Sequence, residues 1–165
     1  VSSVFLVGFM GTGKSALGRD LANRLGWRFV DLDEEIVSQA GRSIPEIFEA
    51  EGEDAFREFE IQALSAQAQQ EQQVVACGGG VLLRSENRSL LLKQEKVLCL
   101  VASADEIWRR ISGDPNRPLL KDREAMERRL KERQPFYELF PSLDTEGRSV
   151  ADLSEELLHR LDLRP

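Results

Sequence analysis

Four short stretches carry residue types that could do chemistry. The first is GFMGTGKS, Gly8 to Ser15, which follows the pattern G-x-x-x-x-G-K-[ST]. Such a loop offers a nest of backbone N–H groups at a helix N-terminus, with Lys14 reaching toward phosphate oxygens, and its natural occupant is a nucleoside triphosphate. The second is Asp31 and Asp33, which follow the apolar WRFV. Two carboxylates at this spacing lie on one side of the chain, where one can hold the water shell of a magnesium ion and the other can accept from a substrate hydroxyl. An acidic pair at a strand end serves equally well as a helix cap, and both readings stand. The third is Gly78-Gly79-Gly80, which offers bare amides and close approach to a ligand. Taken alone it reads as a turn that needs positive φ. The fourth is Arg57 in FREFE, which alone would be a surface arginine.

These residues need a frame. The loop follows Val4-Phe5-Leu6-Val7, a continuous apolar run of the kind found in buried parallel strands, and precedes Leu17, Leu21 and Leu25, one face of a helix. WRFVDLD predicts a second strand ending at Asp31, followed by a helix from Asp33 to about Ala40. Gly41 breaks that pattern, and Ser43 with Glu46 predicts a capping box, with Pro45 in the first turn. A helix from Glu53 to about Gln69 places Phe56, Phe59, Ala63 and Ala66 on one face. VVAC is a third strand, stopped by the glycines; a leucine-rich helix and VLCLV, the fourth strand, follow. Ser103 and Glu106 predict a second capping box before a helix through Ile111. From Ser112 to Arg123 the periodicity is lost. A helix from Glu124 to Arg133 is expected to end at Pro135, SLDT is a short fifth strand, and Ala151 to Leu161 closes the chain as a helix. Strands alternating with helices predict an α/β fold, a five-stranded parallel sheet with helices on both faces. With no internal repeat and no linker, residues 1–165 read as one domain.

Composition narrows the function. The 165 residues are 41% hydrophobic and 31% charged, the balance of a soluble globular protein, with no apolar run of the roughly 20 residues a membrane helix needs and no signal-peptide pattern. We expect a cytoplasmic protein with no membrane partner. Cys77 and Cys99 lie in strand-like apolar runs and read as buried free thiols. A formal net charge of −7 argues against a nucleic-acid partner. Between Arg109 and Arg133, however, nine basic and five acidic residues make a local +4, which suits a small, highly charged anion such as ATP. Trp108 and Phe136 read as core, and His159, the sole histidine, as structural or solvated.

In order along the chain, GFMGTGKS, VDLDEEI, GRSIPEIF, FREFE, CGGG, NRPLL and ERQPFYEL resemble the shikimate kinases, from Val4 to about Leu161. The resemblance implies a P-loop fold of the nucleoside-monophosphate-kinase-like type with a mobile lid, about 112–123, and a shikimate-binding segment, about 33–60. The activity implied is magnesium-dependent transfer from ATP to the 3-hydroxyl of shikimate, by a monomer, in the route to aromatic amino acids. By the same resemblance Gly11, Thr12, Gly13, Lys14, Ser15 and Ala16 hold the nucleotide phosphates. Ser15 ligates Mg2+ and Asp31 holds a metal water. Asp33 binds the acceptor hydroxyls, Arg57 and Arg133 the acceptor carboxylate, and Gly79, within Gly78–Gly80, the ring. Arg117 is the lid arginine reaching the transferred group, and Arg110 and Arg148 flank the adenine. Lys14, Asp33 and Arg117 carry the catalysis. Gluconate kinase is an alternative, since its substrate also has a carboxylate and hydroxyls; D-x-D with CGGG and R-x-P-x-Y (Arg133 to Tyr137) speaks for shikimate. A non-catalytic nucleotide-binding protein is the other, against which Lys14, Asp33 and Arg117 are all present.

Overall fold

The computed structural model describes residues 2–112 and 123–165. Five strands, β1 (Val4–Gly8), β2 (Arg28–Asp31), β3 (Gln73–Ala76), β4 (Lys96–Val101) and β5 (Ser142–Asp144), pair in parallel in the order β2-β3-β1-β4-β5. The helices are α1 (Lys14–Leu25), α2 (Leu32–Ala40), α3 (Ile44–Glu51), α4 (Glu53–Ala68), α5 (Ser85–Leu92), α6 (Ala104–Ser112), α7 (Arg123–Tyr137) and α8 (Val150–Arg160), with one 3₁₀ turn at Val81–Leu83. The expected α/β sheet and its fifth strand are therefore present.

Strand geometry makes the sheet two-sided. Successive side chains point to opposite faces, so Val4 and Leu6 of β1 enter one core while Phe5 and Val7 enter the other. The first core is closed by Leu17, Leu21 and Leu25 of α1 with Leu153 and Leu157 of α8. The second takes Ile36, Ile47, Phe56, Leu64, Leu91, Ile107 and Met126 from the other helices. β1 lies between β3 and β4 and is buried along its whole length, which is why its sequence is apolar without alternation. The chain leaves β1 toward one face and β3 toward the other, so the crevice between their carboxyl ends is a topological switch point where ligands collect.

Several local expectations change. Pro135 sits inside α7, which runs on to Tyr137; in the last turn a proline forfeits one hydrogen bond, and the helix needs only two more residues. Ala66 is exposed, and the buried stripe of α4 runs instead through Phe56, Arg57, Glu60, Ala63, Leu64 and Gln67. Both serines of the predicted capping boxes accept as expected, Ser43 from Glu46 N–H (3.3 Å) and Ser103 from Glu106 N–H (3.2 Å). The Glu106 carboxylate, however, turns to arginines. Cys77 and Cys99 are buried and free, Trp108 and Phe136 pack partly buried against the core, and His159 is exposed. Among the described residues no helix is long and apolar enough to cross a membrane.

Candidate active site

Segment 9–13 joins β1 to α1, and its conformation is set by glycine. Gly11 (φ 78) and Gly13 (φ 97) occupy the left-handed region, which costs glycine no side-chain clash. The buried Thr12 hydroxyl donates to Phe9 O (2.7 Å), so this side chain stitches the loop rather than facing a ligand. Lys14 Nζ donates to Phe9 O (3.1 Å) and Gly8 O across the same loop. Gly13 is the N-cap of α1, and no side chain caps it, in contrast to α2, α3 and α8. The amides of the first turn, Ser15 and Ala16 included, lie at the positive end of the helix dipole, and the N-cap residue brings no side-chain oxygen to them.

β2 delivers the carboxylates. Asp31 caps α2, its Oδ1 accepting from the N–H groups of Asp33 (3.0 Å) and Glu34 (3.4 Å), while the Ser15 hydroxyl donates to Oδ2 at 3.4 Å. One oxygen thus serves the cap and the other faces Ser15. Asp33 is half-buried. Burial raises its proton affinity most, the neighbouring Asp31 charge adds to that, and Lys14 and Arg57 oppose it.

Arg57 is buried, contrary to the surface reading of FREFE taken alone. Its Nη1 donates to Glu60 Oε1 (2.9 Å), its Nη2 to Glu53 Oε1 (3.2 Å), and its Nε is buried without a hydrogen-bond partner. A buried guanidinium with an unanswered N–H is out of balance on its own. The planar guanidinium fork matches an incoming carboxylate, which would take the place of the exposed Glu53 on Nη2.

The triple glycine does make a turn, closed by Val81 N–H donating to Gly78 O (3.1 Å), but a turn that needs no positive φ, and its lack of side chains serves space. None of the three has positive φ. A Cβ on Gly78 would lie 2.7 Å from Asp33 Oδ1 and 3.2 Å from Glu60 Oε2, and one on Gly80 would lie 2.5 Å from Arg57 Nη1. One on Gly79 would lie 3.5 Å from Met10 N, so the end of β3 lies against the phosphate loop. Arg133, from α7, donates from Nη1 to Gly79 O (3.1 Å) and lies 5.6 Å from the Phe9 ring centroid. The structure thus gathers Lys14, Asp33, Arg57, the glycines and Arg133 at one crevice.

Arg110 and Arg148 lie at the far side of the loop. Arg110 Nη1 donates to Gly11 O (3.0 Å) and Thr145 Oγ1 (3.2 Å); Arg148 Nη1 donates to Glu156 Oε2 (3.1 Å) and, weakly, to Asp144 O (3.5 Å). Arg117 and the expected lid, apart from its ends Ser112 and Arg123, lie outside the described residues.

This geometry can be set beside known proteins. The family model described as shikimate kinase matches residues 10–162. A shikimate kinase of Geobacter metallireducens is 45% identical over 168 aligned residues, covering 99% of this chain and 94% of the relative. The chain belongs to the shikimate kinase family. It is thereby an enzyme, an ATP-dependent kinase that works with Mg2+. The solved shikimate kinase from Acinetobacter baumannii in complex with shikimate superposes with a TM-score of 0.90 at 35% identity, over 98% of this chain and 93% of that one. A gluconokinase from Sinorhizobium meliloti, at 19% identity and a TM-score of 0.62 over 98% and 91%, shares the fold alone.

For a shikimate kinase the metal donors fit magnesium. Among the described residues no group of three or more His, Cys, Asp or Glu could hold a metal ion, so a cation that needs an all-protein cage has none there. Mg2+ asks less: it keeps several waters and takes the rest from phosphate and one or two protein oxygens, and Ser15 with Asp31 offers two. Sequence reasoning missed Glu60. This carboxylate is buried, anchors Arg57, and has its proton affinity raised by burial against the pull of Arg57. The signal was present: Glu60 lies at i+4 from Phe56 and i−3 from Ala63, a carboxylate on the apolar stripe of its helix.

Proposed function

We propose that this shikimate kinase moves the γ-phosphoryl group of ATP to the 3-hydroxyl of shikimate by the residues gathered at the crevice. The observation that carries the proposal is the Arg57 guanidinium, buried with an unpaired Nε beside Asp33 and the phosphate loop. Arg57 and Arg133 hold the acceptor carboxylate in this reading, with Gly78, Gly79 and Gly80 giving the ring its clearance. Asp33 accepts from the reacting hydroxyl. The 3-oxygen then bonds to the γ-phosphorus while the bond from that phosphorus to the β,γ-bridging oxygen breaks, and the hydroxyl proton passes to the Asp33 carboxylate. Its raised proton affinity favours that transfer. Lys14 and the amides of Gly11 through Ala16 carry the phosphates, and positioning with electrostatics supplies most of the rate. Ser15 and Asp31 would hold Mg2+, which when bound neutralises charge on the phosphate oxygens.

In the same reading residues 1–165 act as one kinase domain, with 33–60 as the acceptor segment, in a cytoplasmic monomer whose partners are small molecules. Arg110 and Arg148, beside Thr145 and Asp144, line the purine side. ADP release measured with shikimate, with gluconate and without acceptor tests the assignment. Turnover with shikimate far above both controls is the expected result; equal turnover with gluconate would move the acceptor class, and release independent of acceptor would reduce the protein to an ATPase.

A further inference from the structure

Glu106 and Thr145 lie away from the reacting groups, yet both grip Arg110. Glu106 Oε1 accepts from Arg110 Nε (2.9 Å), and Thr145 accepts through Oγ1 from Nη1 (3.2 Å) and through its backbone oxygen from Nη2 (3.4 Å). Thr145 is itself buried and fixed, its N–H donating to Val101 O (2.9 Å) and its hydroxyl to the same oxygen (3.3 Å). With three sides of the guanidinium held, Nη1 is aimed at Gly11 O, 3.0 Å away.

That last bond matters because of peptide geometry. In a trans peptide the carbonyl of one residue and the N–H of the next point in opposite directions. Fastening Gly11 C=O to Arg110 therefore turns the Thr12 N–H away from Arg110. Gly11 has no Cβ, which leaves this peptide freer to rotate than any other with φ near 78 would be. The Thr12 hydroxyl ties the loop tip to Phe9 O from within, Arg110 adds a brace from outside, and preorganised donors bind more tightly than mobile ones.

We propose that Glu106 and Thr145 are positioning residues for nucleotide binding, acting through Arg110 to fix the Gly11–Thr12 peptide with its N–H on the phosphate side. The inference rests on the reading that the loop binds ATP. Arg109 and Arg110 hold the Glu106 carboxylate down to about 2, so it stays charged at any working pH.

Calorimetry of ATP and of shikimate binding to Glu106→Gln, Thr145→Val, Thr145→Ser, Arg110→Ala and the double variant Glu106→Gln/Arg110→Ala provides the test. Glu106→Gln and Thr145→Val should each weaken ATP by roughly three- to tenfold, the worth of one hydrogen bond or two, and leave shikimate affinity within about twofold. Thr145→Ser, which restores the hydroxyl, should recover most of the loss. The double variant should be no weaker than Arg110→Ala, because residues acting through one another are not additive. Additive losses, or equal losses for both ligands, would overturn the brace, as would undiminished ATP affinity in both single variants. A wild-type protein that binds no ATP would instead refute the reading of the loop itself and the brace with it.

Discussion

Gly80 shows how a residue without a side chain can govern one that has charge. Its φ of −105 suits any amino acid, so alanine would strain no backbone there; its Cβ would displace the Arg57 guanidinium, which it meets at 2.5 to 2.8 Å. Because displacement loosens the guanidinium from the buried Glu60 carboxylate, Gly80→Ala should fold with some loss of stability and bind shikimate more weakly by about 1.5–3 kcal/mol, the worth of hydrogen bonds to a charged group. Paired KM values, raised for shikimate and unchanged for ATP, check it. Asp33 gives a second expectation. With its proton affinity raised by burial and by Asp31, activity that needs the ionised form should fall off on the acid side above the ordinary aspartate value of about 3.9, and Asp33→Asn should lower turnover by roughly 10² or more. The pH profile of kcat/KM measures the first and single-turnover rates the second. The phosphate loop could be read from its residues: Lys14 and Ser15 stand in a short pattern whose chemistry is local, whereas the acidic pair stayed open between cap and site until the family resemblance was added. Glu60 and the reason for Gly80 could not be read, since both depend on segments that meet only in space.

Asp31 caps α2 with one oxygen, and in the proposed function its other oxygen serves Mg2+. Asparagine caps a helix as well as aspartate does, whereas alanine costs about 1 kcal/mol. Asp31→Asn should therefore keep the thermal midpoint of the wild type and lose activity at limiting Mg2+, while Asp31→Ala should lose both; a titration of rate against Mg2+ alongside a thermal melt separates them. Two helix starts were legible for the same local reason, for Ser43 and Ser103 each accept from the amide three residues on; Ser149 does the same for α8 but was not read from the sequence. Helix ends were less so. Pro135 was expected to stop α7, yet the cost of proline depends on how many turns remain, and a final turn has little left to lose. The stripe of α4 was misassigned at Ala66 because the 3.6-residue period admits Arg57 and Glu60 once each neutralises the other.

Across the molecule, α1 and α8 are joined by Ser154, fully buried, whose hydroxyl donates to Asp20 Oδ2 (2.6 Å) while Arg24 Nε donates to the same oxygen (2.7 Å). The hydrogen bonds hold the Asp20 carboxylate below the usual range, so the stabilisation they give is present at neutral pH and fades as acid protonates Asp20. Ser154→Ala should cost about 1–2 kcal/mol of stability at neutral pH, less at pH 3, and leave both KM values unchanged, since these residues face away from the crevice; denaturant melts at the two pH values decide it. Alternating strands and helices made the parallel sheet legible. The order β2-β3-β1-β4-β5 was not, because right-handed crossovers permit several orders and an apolar run marks a strand as interior without naming its neighbours.

The two thiols frame β1, the strand that carries the phosphate loop: Cys99 pairs with Val7 in register, and the N–H of Cys77 donates to Leu6 O. Burial pushes both thiols up, Cys99 to about 11, so neither reacts while the sheet is closed. Alkylation can then proceed only through molecules whose central strands have parted, and the slow loss of thiol in the intact protein becomes a clock for that rare opening, one that bound nucleotide should slow at both cysteines alike.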